Sequence, residues 1–332
     1  MRIYIYYEET DKPWGGSNSF IKAFKKYLKG KMREEIKIVT DIDGDYDIFF
    51  MNTGLKAPGV QIEIDKIKKI RKYGHVKLIK RLFSKDSPKK IVHRLDGLRA
   101  IYNNQWNKMD GLQLQASCLA DHIIFQSKHC LESFRKFGYD GNNYSIVHNG
   151  VDQGIFNTHG KEYWNCGDEL KVFSCSWSSN PRKGYFVIAR FSEIKGVESY
   201  FVGNWPEEID KRKVICLPPM KQEELADYYG KCDVFLHAAK NDPCPNVVLE
   251  ALSCGLPVIY HNSGGTPEIA SKYGIPLPED ITTETVSELI EEMKERFPQF
   301  VENIKRDVKT FSIERSTEEY LSIFYSLVER KT

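Results

Sequence analysis

The stretch that most restricts the fold is Asn241–Val258, NDPCPNVVLEALSCGLPV, with SGGTPE following at Ser263–Glu268. It reads as loop, short helix, tight turn and buried strand. Asn246 is a good N-cap, and Val247, Val248 and Leu249 make the first helical turn. Gly255 stops the helix and Pro257 opens the next strand. The apolar run Asp233–His237 (DVFLH) leads into the loop, so the order is strand, loop, helix, strand. Amides at a helix start have no intrahelical partner, and with the helix dipole they form an anion site. Glu250 sits one turn further in, and Asp242 lies eight residues ahead of it on the incoming loop. The stretch therefore offers N–H groups for phosphate, one carboxylate for a vicinal diol and a second carboxylate beyond the phosphates. Those groups fit the three parts of a nucleotide sugar.

At 332 residues the chain has room for two domains with full cores. Its formal net charge of +2 gives no bulk signature of nucleic-acid binding. The longest apolar runs are strand-length, so no transmembrane helix is expected. The start, MRIYIYYEET, reads as a first strand and lacks the apolar core of a signal peptide. The eight cysteines are scattered without a C-x-x-C pair, which fits reduced thiols in a cytoplasmic protein.

The same strand-and-helix alternation runs through the whole chain. Residues 2–7 are a strand, followed by DKPWGGSNSF and a helix over about 19–28. Strand, glycine-bearing loop and helix start form the generic phosphate-facing unit of a doubly wound sheet. Strands follow at 36–40 and 47–51, separated by DIDGDYD. Its D-x-D spacings suit a divalent cation, but the plain reading is a solvated acidic turn. Residues 65–90 are the most basic part and read as two short amphipathic helices with a cationic face. Such a face can lie on anionic lipid, each nearby basic residue adding about 1 kcal/mol; a solvated helix face is the alternative. Ile91–Val92 is a strand with His93–Gly97 at its carboxyl end, residues 102–120 are a helix, 121–126 a strand and 127–138 a helix. A strand at 144–147 and the turn at Asn149–Gly150 close an amino-terminal domain over 1–155. The polar stretch 156–169 reads as a linker, and 170–312 as a second domain with its first strand at 172–176.

D-P-C-P-N-V-V-L-E-A-L-S-C-G-L-P-V followed by G-G-T-P-E resembles the E-x7-E region of glycosyltransferase family 4, retaining enzymes of the GT-B fold. Asp242 stands where that family has its first glutamate, keeping the carboxylate on a shorter arm. HNGVDQGIF at the end of the first domain resembles the same family. The resemblance implies two Rossmann-like domains facing across a cleft, with the helix at 313–332 packing back on the first. It implies donor contacts from Gly15 and Gly16, from Lys183 beside Gly184, and from the loop at Pro218 and Met220. Asn246, Val247, Val248 and Glu250 complete the donor set. The family arginine expected ahead of Lys183 is missing, Trp177 and Ser178 standing there, and Arg182 is the candidate replacement. HRLDGLR resembles the family's H-x-x-D segment, which would put His93 on the transferred sugar and Asp96 and Arg99 toward the acceptor. The plain alternative is that His93 and Asp96 hold their loop by backbone hydrogen bonds.

The chemistry so implied is metal-free and needs no cofactor. Lys183 and helix amides would carry the charge growing on the departing diphosphate, Glu250 would hold the ribose, and Asp242 the sugar hydroxyls. The expected partners are a nucleotide sugar and a carbohydrate or lipid-linked acceptor, with no nucleic acid. The protein would be cytoplasmic, with peripheral membrane contact through 65–90. A sugar-nucleotide epimerase or hydrolase on the same scaffold, or a non-catalytic interaction subunit, are the competing readings.

Overall fold

The computed structural model describes residues 1–11, 15–32, 34–52 and 89–329. Most of the basic stretch 65–90 therefore lies outside the described residues. The chain divides into two units. The first holds Met1–Thr10, Ser17–His148 and Ser316–Thr332, and the second holds Asp11–Gly16 and Asn149–Arg315.

In the first unit, strands β1 (Arg2–Tyr6), β2 (Lys37–Val39), β3 (Ile48–Asn52), β4 (Lys90–Leu95), β5 (His122–Phe125) and β6 (Tyr144–Ile146) form one sheet. Its order is β2-β1-β3-β4-β5-β6, and every pairing is parallel. The helices are α1 (Gly16–Lys31), α2 (Arg99–Tyr102), α3 (Lys108–Ser117) and α4 (Lys128–Lys136). β3 is buried along its whole length, as a central strand covered on both faces must be. One face carries Phe24 of α1 against Phe50 and Tyr320, with Phe50 also meeting Phe324. The single helix expected over 102–120 is broken. Asn104 takes a left-handed φ of 51°, and Asn107 and Asp110 form a reciprocal capping box that restarts the chain as α3. In DIDGDYD, Asp45 and Asp47 both pair with Arg2, so those carboxylates serve the start of β1.

The second unit contains β7 (Leu170–Ser176), β8 (Val197–Gly203), β9 (Ile215–Leu217), β10 (Val234–His237), β11 (Val258–Tyr260) and β12 (Gly274–Pro276). All pair in parallel, in the order β12-β11-β10-β7-β8-β9. Helices α5 (Tyr185–Phe191), α6 (Gln222–Lys231), α7 (Asn246–Ser253), α8 (Thr266–Ala270), α9 (Thr283–Asp307) and α10 (Ile313–Glu329) follow in sequence, the last continuing into the first unit. Two apolar clusters cover the sheet. One holds α5 and α9 residues such as Ile188 and Met293, the other α6 to α8 residues such as Tyr229 and Leu252.

The stretch 156–169, expected as a linker, is packed into this unit. Trp164 is buried edge-on to Phe297, and the Lys161 ammonium donates to the Gly230 carbonyl at 3.2 Å. Polar composition hid that role, because one buried indole and one long cation do the anchoring. α9 also runs longer than its sequence signals suggest, passing through Pro298. Proline removes the donor that would reach the Lys294 carbonyl; the Cys166 thiol reaches that oxygen instead, at 3.7 Å. Phe297, Phe300, Val301 and Ile304 continue the buried face beyond the proline.

Candidate functional site

The strand order of the second unit reverses between β7 and β10, whose connections leave toward opposite edges of the sheet. Loops at the carboxyl ends of such a strand pair diverge and leave a crevice, the usual ligand position in open α/β sheets. Asn180 caps the turn Pro181–Lys183, accepting from the Arg182 amide at 3.0 Å. Gly184 then takes φ 80°, and a Cβ there would lie 2.5 Å from both Cβ and O of Ala238. Only glycine lets the loop after β7 approach the end of β10 this closely. The Lys240 amide donates to the Arg182 carbonyl at 3.1 Å, joining the two loops. The result is a Lys183 ammonium 3.3 Å from the Asp242 carboxylate, with side chains 20% and 16% exposed.

The segment SGGTPE braces Asp242 from the other side. The Gly265 amide donates to the Asp242 carbonyl at 2.8 Å, and the Ser263 hydroxyl accepts from the Asn241 amide at 2.9 Å. Gly264 sits at φ 70°, where a Cβ would come within 2.4 Å of the Asp242 carbonyl.

α7 begins one residue earlier than expected. Pro245, not Asn246, is the N-cap, and its carbonyl accepts from the amides of Val248 at 3.1 Å and Leu249 at 3.4 Å. The outward-facing amides at the helix start are thus those of Asn246 and Val247, and the Val248 amide is already engaged. Asn246 does not cap because its side chain is used elsewhere. Its oxygen accepts from Asn149 at 2.8 Å, and its amide donates to the Gly16 carbonyl at 2.9 Å. Gly15 and Gly16 thereby fall beside the start of α7, with Gly15 at φ 44°.

Glu250 is almost completely buried, 5% exposed. The Tyr229 hydroxyl lies 3.1 Å from its Oε2. Burial pushes the carboxyl up to about 7, against the smaller downward pull of the Tyr229 hydrogen bond. Pro218, after β9, is exposed, while Met220 packs against the apolar cluster that holds α7.

Two residues at the crevice carry no sequence signal. His237 ends β10 and is 5% exposed; burial lowers it to about 4, with Asp242 pulling it up and Lys183 and His261 pushing it down. Its Nε2 has no hydrogen-bond partner among the described residues. Tyr229 is the other, since nothing in helical periodicity says which carboxylate its hydroxyl will meet.

His93, Asp96 and Arg99 belong to the first unit. β4 extends through Leu95, so His93 lies inside a strand, fully buried and neutral, its ring lowered to about 3 by burial. That placement departs from the expected end of the strand at Val92, because Val92, His93 and Arg94 all pair with β5. Asp96, the first residue past the strand, is held firmly. Arg94 donates to its Oδ1 at 2.9 Å, Gln126 donates to the same oxygen, and Ser17 donates to Oδ2. Arg94 is wholly buried, stacks over the Phe20 ring at 4.2 Å and also donates to Asn52. Arg99 opens α2, its amide donating to Asp110 at 2.7 Å.

Residues 204–305 match the model of the family described as Glycosyl transferases group 1. The match takes in Asp242, Asn246 and Glu250 and stops short of Lys183. The sulfoquinovosyl transferase SQD2 of Arabidopsis thaliana is 34% identical over 86 residues, which are 24% of this chain and 16% of that protein. A GDP-mannose-dependent alpha-mannosyltransferase of Mycobacterium tuberculosis is 40% identical over 58 residues, 17% of this chain and 15% of its own. The chain thus spans about a sixth of the length of these relatives. Among solved structures, Anabaena HepE in complex with UDP superposes with a TM-score of 0.68 at 15% identity, covering 98% of this chain and 99% of that one. The fold is GT-B, and the resemblance to group 1 glycosyltransferases holds over residues 204–305.

Proposed function

From the match of residues 204–305 to group 1 glycosyltransferases, we propose that the chain transfers a sugar from a nucleoside-diphosphate sugar to a hydroxyl of a carbohydrate or lipid-linked acceptor. One observation carries this reading. Lys183 pairs with Asp242 at the strand-order reversal of one sheet, and α7, which carries Glu250, begins four residues past Asp242. Lys183 and the amides of Asn246 and Val247 would take up charge on the leaving diphosphate. Asp242, released from Lys183 as the diphosphate engages the lysine, would accept from the sugar hydroxyls. Glu250 would accept from the ribose. The UDP and UDP-glucose held by HepE, and the GDP-mannose dependence of the mycobacterial relative, support a nucleoside-diphosphate sugar as the donor class.

Among the described residues, no side chain of the crevice is placed as an evident covalent nucleophile. On the resemblance to the retaining enzymes of glycosyltransferase family 4, we read the reaction as retaining, with the acceptor oxygen attacking the face the diphosphate leaves. The anomeric carbon–oxygen bond to phosphate breaks as the new glycosidic bond forms, and the acceptor proton passes to the departing phosphate oxygen. We also read the chemistry as metal-independent, the lysine and the helix amides doing the electrostatic work. Asp96 and Arg99 are proposed for the acceptor side. His93, buried within β4, is proposed to support the Asp96 strand end rather than to touch the transferred sugar.

The test is a panel of nucleotide sugars screened by thermal shift, followed by transfer assays with hits, with and without EDTA. The reading expects stabilisation by one nucleoside diphosphate and its sugar, and transfer that EDTA leaves intact. Stabilisation by none of them would refute the donor assignment. Rapid release of free sugar from donor alone would favour a hydrolase.

A further inference from the structure

α6 buries a single side chain, Tyr229, and that side chain is wholly enclosed. Its ring stands edge-on to Phe173 at 4.8 Å and 85°, and to Phe156 at 5.8 Å and 86°. A phenylalanine would pack there equally well. The hydroxyl costs free energy to bury unless it is used, and three atoms surround it. Val247 O and Glu250 Oε2 each lie 3.1 Å away, and Cys175 Sγ lies at 3.3 Å. The hydroxyl has one proton and two oxygen acceptors. An ionised carboxylate makes the stronger of the two bonds, so the proton goes to Glu250 when that group is charged, while the Cys175 thiol donates to the tyrosine oxygen. We propose that Tyr229 is the positioning residue that orients the Glu250 carboxylate for the ribose. This inference rests on the donor reading given above.

Tyr229 stabilises the charged carboxylate that a ribose diol needs. The other titratable groups whose charge is coupled to Glu250 are Cys175 on β7 and Cys254 just past α7; burial pushes both thiols up to about 12, so they stay neutral. Lys183 acts on this cluster through Cys175. Among these groups, Tyr229 alone hydrogen-bonds the carboxyl and lowers it.

The experiment is calorimetric titration of the full chain with UDP and GDP, and with their 2′-deoxy forms, from about pH 6 to about pH 9. Wild-type affinity for whichever ribonucleotide binds should fall as pH drops through about 7, where Glu250 takes up its proton. In Tyr229→Phe that midpoint should move up by about one pH unit. The variant should bind about fivefold more weakly at pH 7, recover at high pH, and lose part of its preference for ribose over deoxyribose. A loss that is equal at every pH and equal for both sugars would mean plain packing and would overturn the inference. Glu250→Gln separates the two levels of the argument. If Glu250→Gln binds like wild type, the donor reading falls and the inference with it. If Glu250→Gln loses affinity while Tyr229→Phe keeps the wild-type midpoint, the donor reading stands and the inference falls. Should Tyr229→Phe fail to fold, wild-type chain carrying 3-fluorotyrosine has a stronger donor at 229 and should shift the midpoint down; an unmoved midpoint would overturn the inference.

Discussion

Glu250→Gln should make the protein more stable, and only at high pH. The carboxyl is 5% exposed and its folded-state pKa lies at about 7, against an ordinary 4.5. At about 1.4 kcal/mol per pH unit, that rise amounts to about 3 kcal/mol. In the unfolded chain Glu250 ionises near 4.5; in the folded one it stays protonated until about 7. Below 4.5 both states hold the proton and the burial of Glu250 carries no charge penalty. Between 4.5 and about 7 the unfolded state gains by ionising, and folding stability drains away. Above about 7 the full penalty of about 3 kcal/mol is in place. Glutamine has no such titration. Its side-chain amide needs a new partner, which costs on the order of 1 kcal/mol at every pH. Differential scanning calorimetry of wild type and variant at about pH 5 and about pH 8 separates these effects. At the higher pH the variant's carboxyl-terminal transition should gain several degrees relative to wild type, at about 2–4 °C per kcal/mol. At the lower pH that gain should vanish or reverse. A difference between the two proteins that does not change with pH would refute the claim that a buried, chargeable carboxylate sits at position 250. A binding residue held in an unfavourable environment reduces the stability of its own fold.

Three further outcomes test the crevice. Lys183→Ala should lower sugar transfer at least about a hundredfold, the usual loss on deleting one key electrostatic contact, read as nucleoside diphosphate released in the presence of acceptor; near-normal turnover would count against its role. Asp242→Ala should reduce turnover far more than affinity for the free nucleoside diphosphate, because its proposed contact is to the sugar. Calorimetry alongside steady-state kinetics distinguishes the two, and equal losses would contradict a sugar-side position. Gly264→Ala forces a methyl to within 2.4 Å of the Asp242 carbonyl at a left-handed φ, at an expected destabilisation of about 1–3 kcal/mol. It should also impair turnover, because the Asp242 backbone must shift; a thermal melt and a kinetic assay unchanged from wild type would show that the clip does not matter.

Much of the architecture was legible because period and punctuation are local properties. Strands β1 and β7, the amphipathic α1 and the terminal α10 follow from runs of apolar residues bounded by turn formers. The helix near 246 and the strand after Pro257 follow from capping and proline rules. The failures were those where a distant partner overrode a local signal. Asn246 looked like a cap but spends both ends of its amide on Asn149 and Gly16. The stretch 156–169 looked like a linker, yet Trp164 and Lys161 reach into the core and the α6 carbonyls. His93 looked like a loop ligand, yet parallel pairing with β5 draws it into the sheet.

By itself, the order of residues determined that the chain would alternate strand and helix, that a helix would start beside a phosphate-suited loop, and which carboxylates would lie near it; Lys183 was pointed to by the family resemblance. Tertiary structure decided how those groups met. The reversal of strand order between β7 and β10 set Lys183 against Asp242, fifty-nine residues away, and a tyrosine on a separate helix was delivered to Glu250. Periodicity reports which face of an element is buried, and it carries no information about which buried polar atom will lie opposite another. That pairing exists only once the sheet has chosen its order, and the proton balance of the site depends on it.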